Sequence, residues 1–200
     1  PVFNLSDISN ERNDNKFHDR FLKGNILLVG RLTKQKNFKL IINAFNELKE
    51  AELKNYKIFI IGEGEENHKL QQIIYNLKLE NSIFLLGSNK NVTKYYFNSK
   101  IFILTSLWED PGFVLIEAAI NNCFIISSDC RSGPNEILEY GKGGLLFKNN
   151  NISSLKQKIK EYISLNDKDL LQMKINAKKN VKKYSLFNHY NLLKKLILSK

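Results

Sequence analysis

Apolar residues along the chain fall into two alternating patterns, compact runs and stripes spaced three and four apart. Short runs stand at 26–29, 58–61, 83–86, 101–104, 124–126 and 145–147. Between them come the stripes Phe38, Ile41, Ile42, Phe45 and Leu48, then Leu70, Ile73, Ile74 and Leu77, then Val92, Tyr95 and Tyr96. Helical stretches follow over 113–121 and 133–139, and then the stripe Leu155, Ile159, Tyr162 and Ile163. Asn37 precedes the first stripe as a good N-cap residue, and Asp129 is a candidate cap for the fifth helix. The pattern predicts six βα units in succession. Each run is apolar at every position rather than at alternate ones, which suits strands covered on both faces by crossover helices. The predicted fold is therefore α/β, a doubly wound, Rossmann-like parallel sheet of six strands, with extra C-terminal helices over 167–183 and 186–198. Such sheets bind ligands beyond the carboxyl ends of their strands. Function is to be sought in the loops after Val29, Ile61, Leu86, Leu104 and Ile126.

Composition narrows the class. Two hundred residues at 42% hydrophobic and 26% charged match one domain with a sizeable core. No apolar run approaches the roughly 18–20 residues that span a bilayer. The opening stretch PVFNLSDISNERNDNKF lacks the layout of a signal peptide and reads as part of a cytoplasmic segment cut from something longer. The net charge of +11 raises nucleic acid or an anionic membrane as a partner. Arg occurs only at Arg12, Arg20, Arg31 and Arg131, whereas base and phosphate readers favour Arg, so no nucleic-acid partner is expected. Lys178, Lys179, Lys182 and Lys183 recur at helical spacing, either as a solvated face or as a stripe suited to peripheral contact with anionic lipid. Cys123, Cys130 and the scattered His18, His68 and His189 give no metal or disulfide spacing, and both thiols read as reduced and structural.

Two strand-end loops carry candidate chemistry. After the first strand, GRLTKQKNF pairs Gly30, which admits close backbone approach, with Arg31 and Lys36, two cations suited to a diphosphate. After the fourth, SLWEDPGFVLIEAAINN puts Glu109 at the strand end and Glu117 on the following helix, with a tight turn at Pro111 and Gly112. The amides of Gly112, Phe113 and Val114 then face outward at a helix start, where anions are favoured. A sugar nucleotide fits this set: sugar hydroxyls on Glu109, phosphates on the amides with Arg31 and Lys36, ribose on Glu117.

The combination of GRLTKQKN, GEG at 62–64, FLLGS at 84–88, Glu109 and Glu117 separated by seven residues, and SDCRSGPNEIL at 128–138 resembles the C-terminal, donor-binding half of a retaining glycosyltransferase of family 4 with the GT-B fold. The likeness runs from about residue 24 to about residue 165. It implies an interdomain crossing segment at 1–23, a nucleotide-sugar donor-binding domain at 24–165, and C-terminal helices at 166–200 that pack on it or toward an N-terminal acceptor domain. It implies that Arg31 and Lys36 hold the donor diphosphate, Glu109 the transferred sugar and Glu117 the ribose, with Gly87 and Ser88 lining the nucleobase pocket. The family often has Gly or Pro-Phe-Gly directly after the first Glu, where this chain has Asp110, Pro111, Gly112 and Phe113. The implied activity is retaining transfer of a hexose or N-acetylhexosamine from a nucleotide sugar, UDP-linked by preference, to a glycan or lipid-linked acceptor in bacterial surface polysaccharide synthesis. No cofactor and no metal are expected. The implied location is cytoplasmic, at the inner face of the plasma membrane if the Lys stripe touches lipid. A glycosidase reading of the two glutamates lacks aromatic sugar subsites, Trp108 being the single Trp. A lone GxG is a poor dinucleotide fingerprint. The remaining alternative is a non-catalytic basic α/β module for nucleic acid or anionic membrane.

Overall fold

The computed structural model describes residues 25–185 together with Tyr190, Lys194 and Ile197. The expected crossing segment 1–23 and most of the last expected helix, including Leu192, Leu193 and Leu196, lie outside the described residues.

Six parallel strands form one sheet: β1 (Asn25–Val29), β2 (Lys57–Ile61), β3 (Ile83–Leu85), β4 (Ile101–Leu104), β5 (Phe124–Asp129) and β6 (Leu145–Lys148). Their order across the sheet is β3-β2-β1-β4-β5-β6. The connecting helices are α1 (Phe38–Leu48), α2 (Asn67–Asn76), α3 (Thr93–Asn98), α4 (Phe113–Ile120), α5 (Pro134–Ile137) and α6 (Ile152–Ser164), and α7 (Asp167–Val181) follows without a strand. The doubly wound class expected from the apolar runs is the one observed.

Alternation along each strand explains why those runs had to be apolar throughout. Ile26 and Leu28 enter a core with Ile58, Ile60, Ile101, Ile103 and Phe124, covered by α1, α2 and α6. Leu27, Phe59, Phe102 and Ile125 point the other way, into a second core under α3, α4, α5 and α7. Each fully buried Leu, Ile or Phe contributes about 1.5–3 kcal/mol, so a polar residue at any of these positions would be costly. Helix α7 closes the second core with Ala177 and Val181.

Not every local expectation held. Asn37 does stand just before α1, yet its side chain makes no cap and Nδ2 donates to Asn150 Oδ1 at 3.1 Å instead. Its backbone is left-handed, φ 49°, whereas a side-chain cap requires an extended residue there. Asp129 likewise does not cap α5, whose N-cap position is Gly133; its carboxylate accepts from Asn135 Nδ2.

The topology sets the site. Strand order reverses between β1 and β4, which are hydrogen-bonded neighbours with Ile26 opposite Ile101. The loops after these two strands rise side by side at the switch point, where a crevice opens in folds of this kind. Backbone bonds tie further loops to this rim: Gly30 N–H donates to Ile61 O at 3.0 Å, Leu32 N–H to Glu63 O at 2.8 Å and Gly62 N–H to Gly87 O at 2.8 Å. Gly62 is required by proximity, because a Cβ there would lie 1.9 Å from Gly30 O.

Candidate functional site

The loop after β1 tightens into a single 3-10 turn at Lys34–Lys36. The β4 end secures that turn: Thr105 Oγ1 donates to Lys36 O at 2.7 Å, Leu107 N–H to Gln35 O at 2.8 Å, and Gln35 Nε2 to Trp108 O at 2.8 Å. Held in this way, the Lys36 side chain reaches across and places Nζ 2.6 Å from Glu109 Oε1. Both side chains are largely withdrawn from water, 14% and 5% exposed, so the ion pair is a built feature rather than a surface encounter. Ser106, fully buried, donates its hydroxyl to the same Glu109 oxygen, and Ser128 Oγ fixes Ser106 through its carbonyl at 2.6 Å. Oε2 of Glu109 has no partner among the described residues.

Glu109 is also placed by its backbone, whose N–H donates to Arg131 O at 3.2 Å beside a parallel bridge between Trp108 and Arg131. The chain then turns through Pro111 to Gly112, left-handed at φ 91°, and α4 begins. No side chain caps it, and among the described residues the Phe113 and Val114 amides have no acceptor. An unsatisfied helix start of this kind attracts an anion. Gly112 packs close on Glu109, since a Cβ there would lie 3.4 Å from Glu109 Cγ.

Glu117 occupies different surroundings from Glu109. Its Oε2 accepts from Tyr96 OH at 2.8 Å, and it lines a cavity of about 250 Å³ with Lys90, Val92, Thr93 and Asn121. Burial pushes its carboxyl above the usual range, partly offset by the tyrosine's hydrogen bond. Burial, reinforced by the neighbouring Glu117 charge, holds Tyr96 well above its own usual value. Asn121 keeps one buried oxygen, Oδ1, without a partner among the described residues.

Of the residues singled out from sequence, Lys36 and Glu109 are brought into direct contact, and Gly112, Phe113 and Val114 form the open start of α4. Gly87 and Ser88 follow β3, with the Ser88 N–H donating to Glu63 Oε1 at 3.1 Å. Gly30 lies against the Lys36 stem, a Cβ there meeting Lys36 Cε at 3.3 Å. Arg31 is exposed and its guanidinium has no partner among the described residues. The Lys stripe is partly engaged: Lys178 Nζ reaches Asn122 Oδ1 at 3.0 Å and Lys183 pairs with Glu136 at 3.2 Å. Sequence reasoning passed over Ser106, Gln35 and the hydroxyl of Tyr96. Tyr96 carried a signal only as a core position, since an apolar stripe does not say where its hydroxyl is aimed.

A family model described as glycosyl transferases group 1 matches residues 10–180. The chain belongs to that family. It is 37% identical over 158 residues to an uncharacterized glycosyltransferase of Methanocaldococcus jannaschii, covering 72% of this chain and 39% of that protein. It is 35% identical over 159 residues to an N-acetylgalactosaminyltransferase of Campylobacter jejuni, named as acting on an N-acetylgalactosamine-N,N'-diacetylbacillosaminyl-diphospho-undecaprenol, covering 80% and 42%. Among solved structures it resembles an S. aureus TarM variant in complex with Fondaparinux, alpha-GlcNAc-glycerol and UDP, with TM-score 0.77, 28% identity, and coverage of 87% of this chain and 35% of that one. This glycosyltransferase domain thus spans about two fifths of the length of these curated relatives, and it is a C-terminal GT-B domain. Among its described residues no helix is long and apolar enough to cross a membrane.

Proposed function

We propose that this domain, at 24–165, holds the donor of a retaining, family 4 glycosyltransferase: a nucleoside diphosphate sugar, UDP-linked, whose hexose or N-acetylhexosamine passes to a glycan or lipid-linked acceptor held by an N-terminal domain. The observation that carries the reading is the buried Lys36–Glu109 pair at the switch point, beside the uncapped start of α4. UDP in the TarM complex and the diphospho-undecaprenol acceptor in the Campylobacter relative's name support the donor base and the acceptor class.

In this reading the diphosphate lies between Lys36, Arg31 and the Phe113 and Val114 amides. Bond breaking leaves negative charge on the departing diphosphate, and preset cations and amides act where that charge develops. Metal is not needed for this neutralisation. Lys36 and Ser106 hold Glu109 by Oε1, so Oε2 is the oxygen offered to the transferred sugar. Glu117 accepts ribose hydroxyls in its cavity, and Gly87 and Ser88 present backbone to the base. The acceptor side being contributed elsewhere, the 200-residue chain binds donor without transferring it. The enzyme works in the cytoplasm, and lysines of α7 not already paired lean on the anionic inner face of the plasma membrane.

Thermal-shift titration tests the reading. A ligand bound only by the folded state at a hundred times its Kd adds about 2.7 kcal/mol, so millimolar UDP is expected to raise the melting temperature, and Lys36→Ala and Glu117→Ala to abolish the rise. No shift with UDP, GDP or ADP would overturn it. DNA binding that survives both substitutions would favour the basic-module alternative.

A further inference from the structure

Trp108 is the single tryptophan of the chain, and 52% of it is exposed directly beside a glutamate that is 6% exposed. Solitary exposed aromatics are ordinary, as Tyr75 and Tyr140 are here. Trp108 differs in how it is supported. Its carbonyl is gripped by Gln35 Nε2, its backbone bridges to Arg131, and the preceding carbonyl, Leu107 O, accepts from Asn149 Nδ2 at 2.8 Å. Loops from three other strand ends thus fix one short segment. Among the described residues the indole itself has no hydrogen-bond, stacking or cation–π partner.

The residues that clamp its backbone carry polar, planar side chains. Gln35 and Asn149 commit their NH2 groups to the clamp, which leaves the Gln35 oxygen as an acceptor, while Asn149 Oδ1 is buried and without a partner among the described residues. Arg131 is exposed with an unpaired guanidinium among the described residues. An exposed apolar ring whose backbone is clamped by residues carrying a free acceptor and a cation matches a carbohydrate, which presents an apolar C–H face and a rim of hydroxyls. A nucleobase has a polar rim as well but an aromatic face without axial C–H groups, and it would answer to UDP alone. Rigid support suits an aromatic recognition platform, because little side-chain freedom remains to be lost on binding.

We propose that Trp108 is a stacking platform for a pyranose ring at the mouth of the donor site, with Gln35 and Arg131 addressing the hydroxyls. The proposal rests on the reading of Glu109 as a sugar-facing residue. The ring comes from the donor or from the acceptor, and both present the same face.

Since Trp108 is the only tryptophan, its emission reports on this one place. The 200-residue chain is titrated with UDP, with UDP-N-acetylglucosamine, and with N,N′-diacetylchitobiose or maltotriose in saturating UDP, following fluorescence and, separately, calorimetry. A saturable blue shift with UDP-N-acetylglucosamine and not with UDP supports the platform and assigns the ring to the donor; a shift only with oligosaccharide supports it and assigns the ring to the acceptor. Trp108→Ala is expected to weaken the responding sugar about tenfold and leave UDP affinity unchanged, while Trp108→Phe retains most of the sugar affinity. An exposed indole is not needed for folding, so melting temperatures should match. Sugar binding equal in Trp108→Ala and the parent, or an emission that no sugar moves while UDP still binds, overturns the proposal. Failure of UDP to bind overturns the donor reading instead, and the oligosaccharide titration then decides Trp108 alone.

Discussion

Lys36 and Glu109 meet at 2.6 Å with little water around either, and removing one member of such a pair leaves the other buried and uncompensated. Lys36→Met is therefore expected to destabilise the fold by on the order of 3 kcal/mol, and the double variant Lys36→Met with Glu109→Gln to recover much of that loss. Urea unfolding of the three variants checks it; additive effects would mean the two groups do not interact. Glu117 gives a pH signature. Burial raises its folded-state pKa, so the folded chain binds this proton more tightly than the unfolded chain. Stability from this group is thus full below the ordinary glutamate range and falls as pH rises through the window between the two pKa values. If Glu117 holds the ribose as proposed, UDP binding runs oppositely, since the ionised carboxylate is the stronger acceptor: affinity should begin to drop on acidification at a pH above the ordinary glutamate range. Calorimetry at falling pH should show a larger drop in the parent than in Glu117→Gln, which registers only the protonation of the UDP phosphate itself. Lys36 and Glu109 were legible as charges in predicted strand-end loops, and Glu117 as a charge on the helix after one of them. Ser106 was not, because a serine two residues past a strand has no distinctive neighbourhood until β5 is folded beside it and Ser128 turns its carbonyl.

At the scale of elements, the strands were readable because burial on both faces leaves no position free to be polar, as in Ile26, Leu27 and Leu28, which divide between two cores. Helix starts were less so. Asn37 and Asp129 have good capping side chains, yet left-handed backbone at Asn37 and a glycine at position 133 took that role from both. A true cap occurs where no prediction was made: Asn151 Oδ1 accepts from Ser154 N–H at 2.7 Å at the start of α6. Asn151→Ala should cost about 1 kcal/mol and, being outside the candidate site, leave UDP binding intact; a change in affinity would indicate that α6 is coupled to the site. Gly133 is a stricter position. A Cβ there would fall 1.8 Å from Pro111 O, so Gly133→Ala must displace the segment that carries Glu109 into α4. It should destabilise by more than about 2 kcal/mol and weaken UDP together with stability, both read from one thermal-shift series.

For the whole molecule, the strand order puts the first and fourth loops together at one end of the sheet, and this placement brings two separate sequence signals, Lys36 and Glu109, into contact. The net charge of +11 does not by itself identify a partner: Lys178 and Lys183 of the densest run are tied to Asn122 and Glu136. The thiols should be quiet as well. Cys123 is buried with its pKa pushed up to about 12, and Cys130 is raised by burial, so a thiol reagent at neutral pH should label neither until the chain unfolds; rapid native labelling would contradict the packing around Tyr96. The account as a whole depends on where a donor's phosphates lie. A crystal structure of the chain soaked with UDP is expected to show the diphosphate within hydrogen-bonding distance of Lys36 Nζ and the Phe113 and Val114 amides, with ribose on Glu117. UDP seated elsewhere on the molecule, with the Lys36–Glu109 pair untouched, would contradict it.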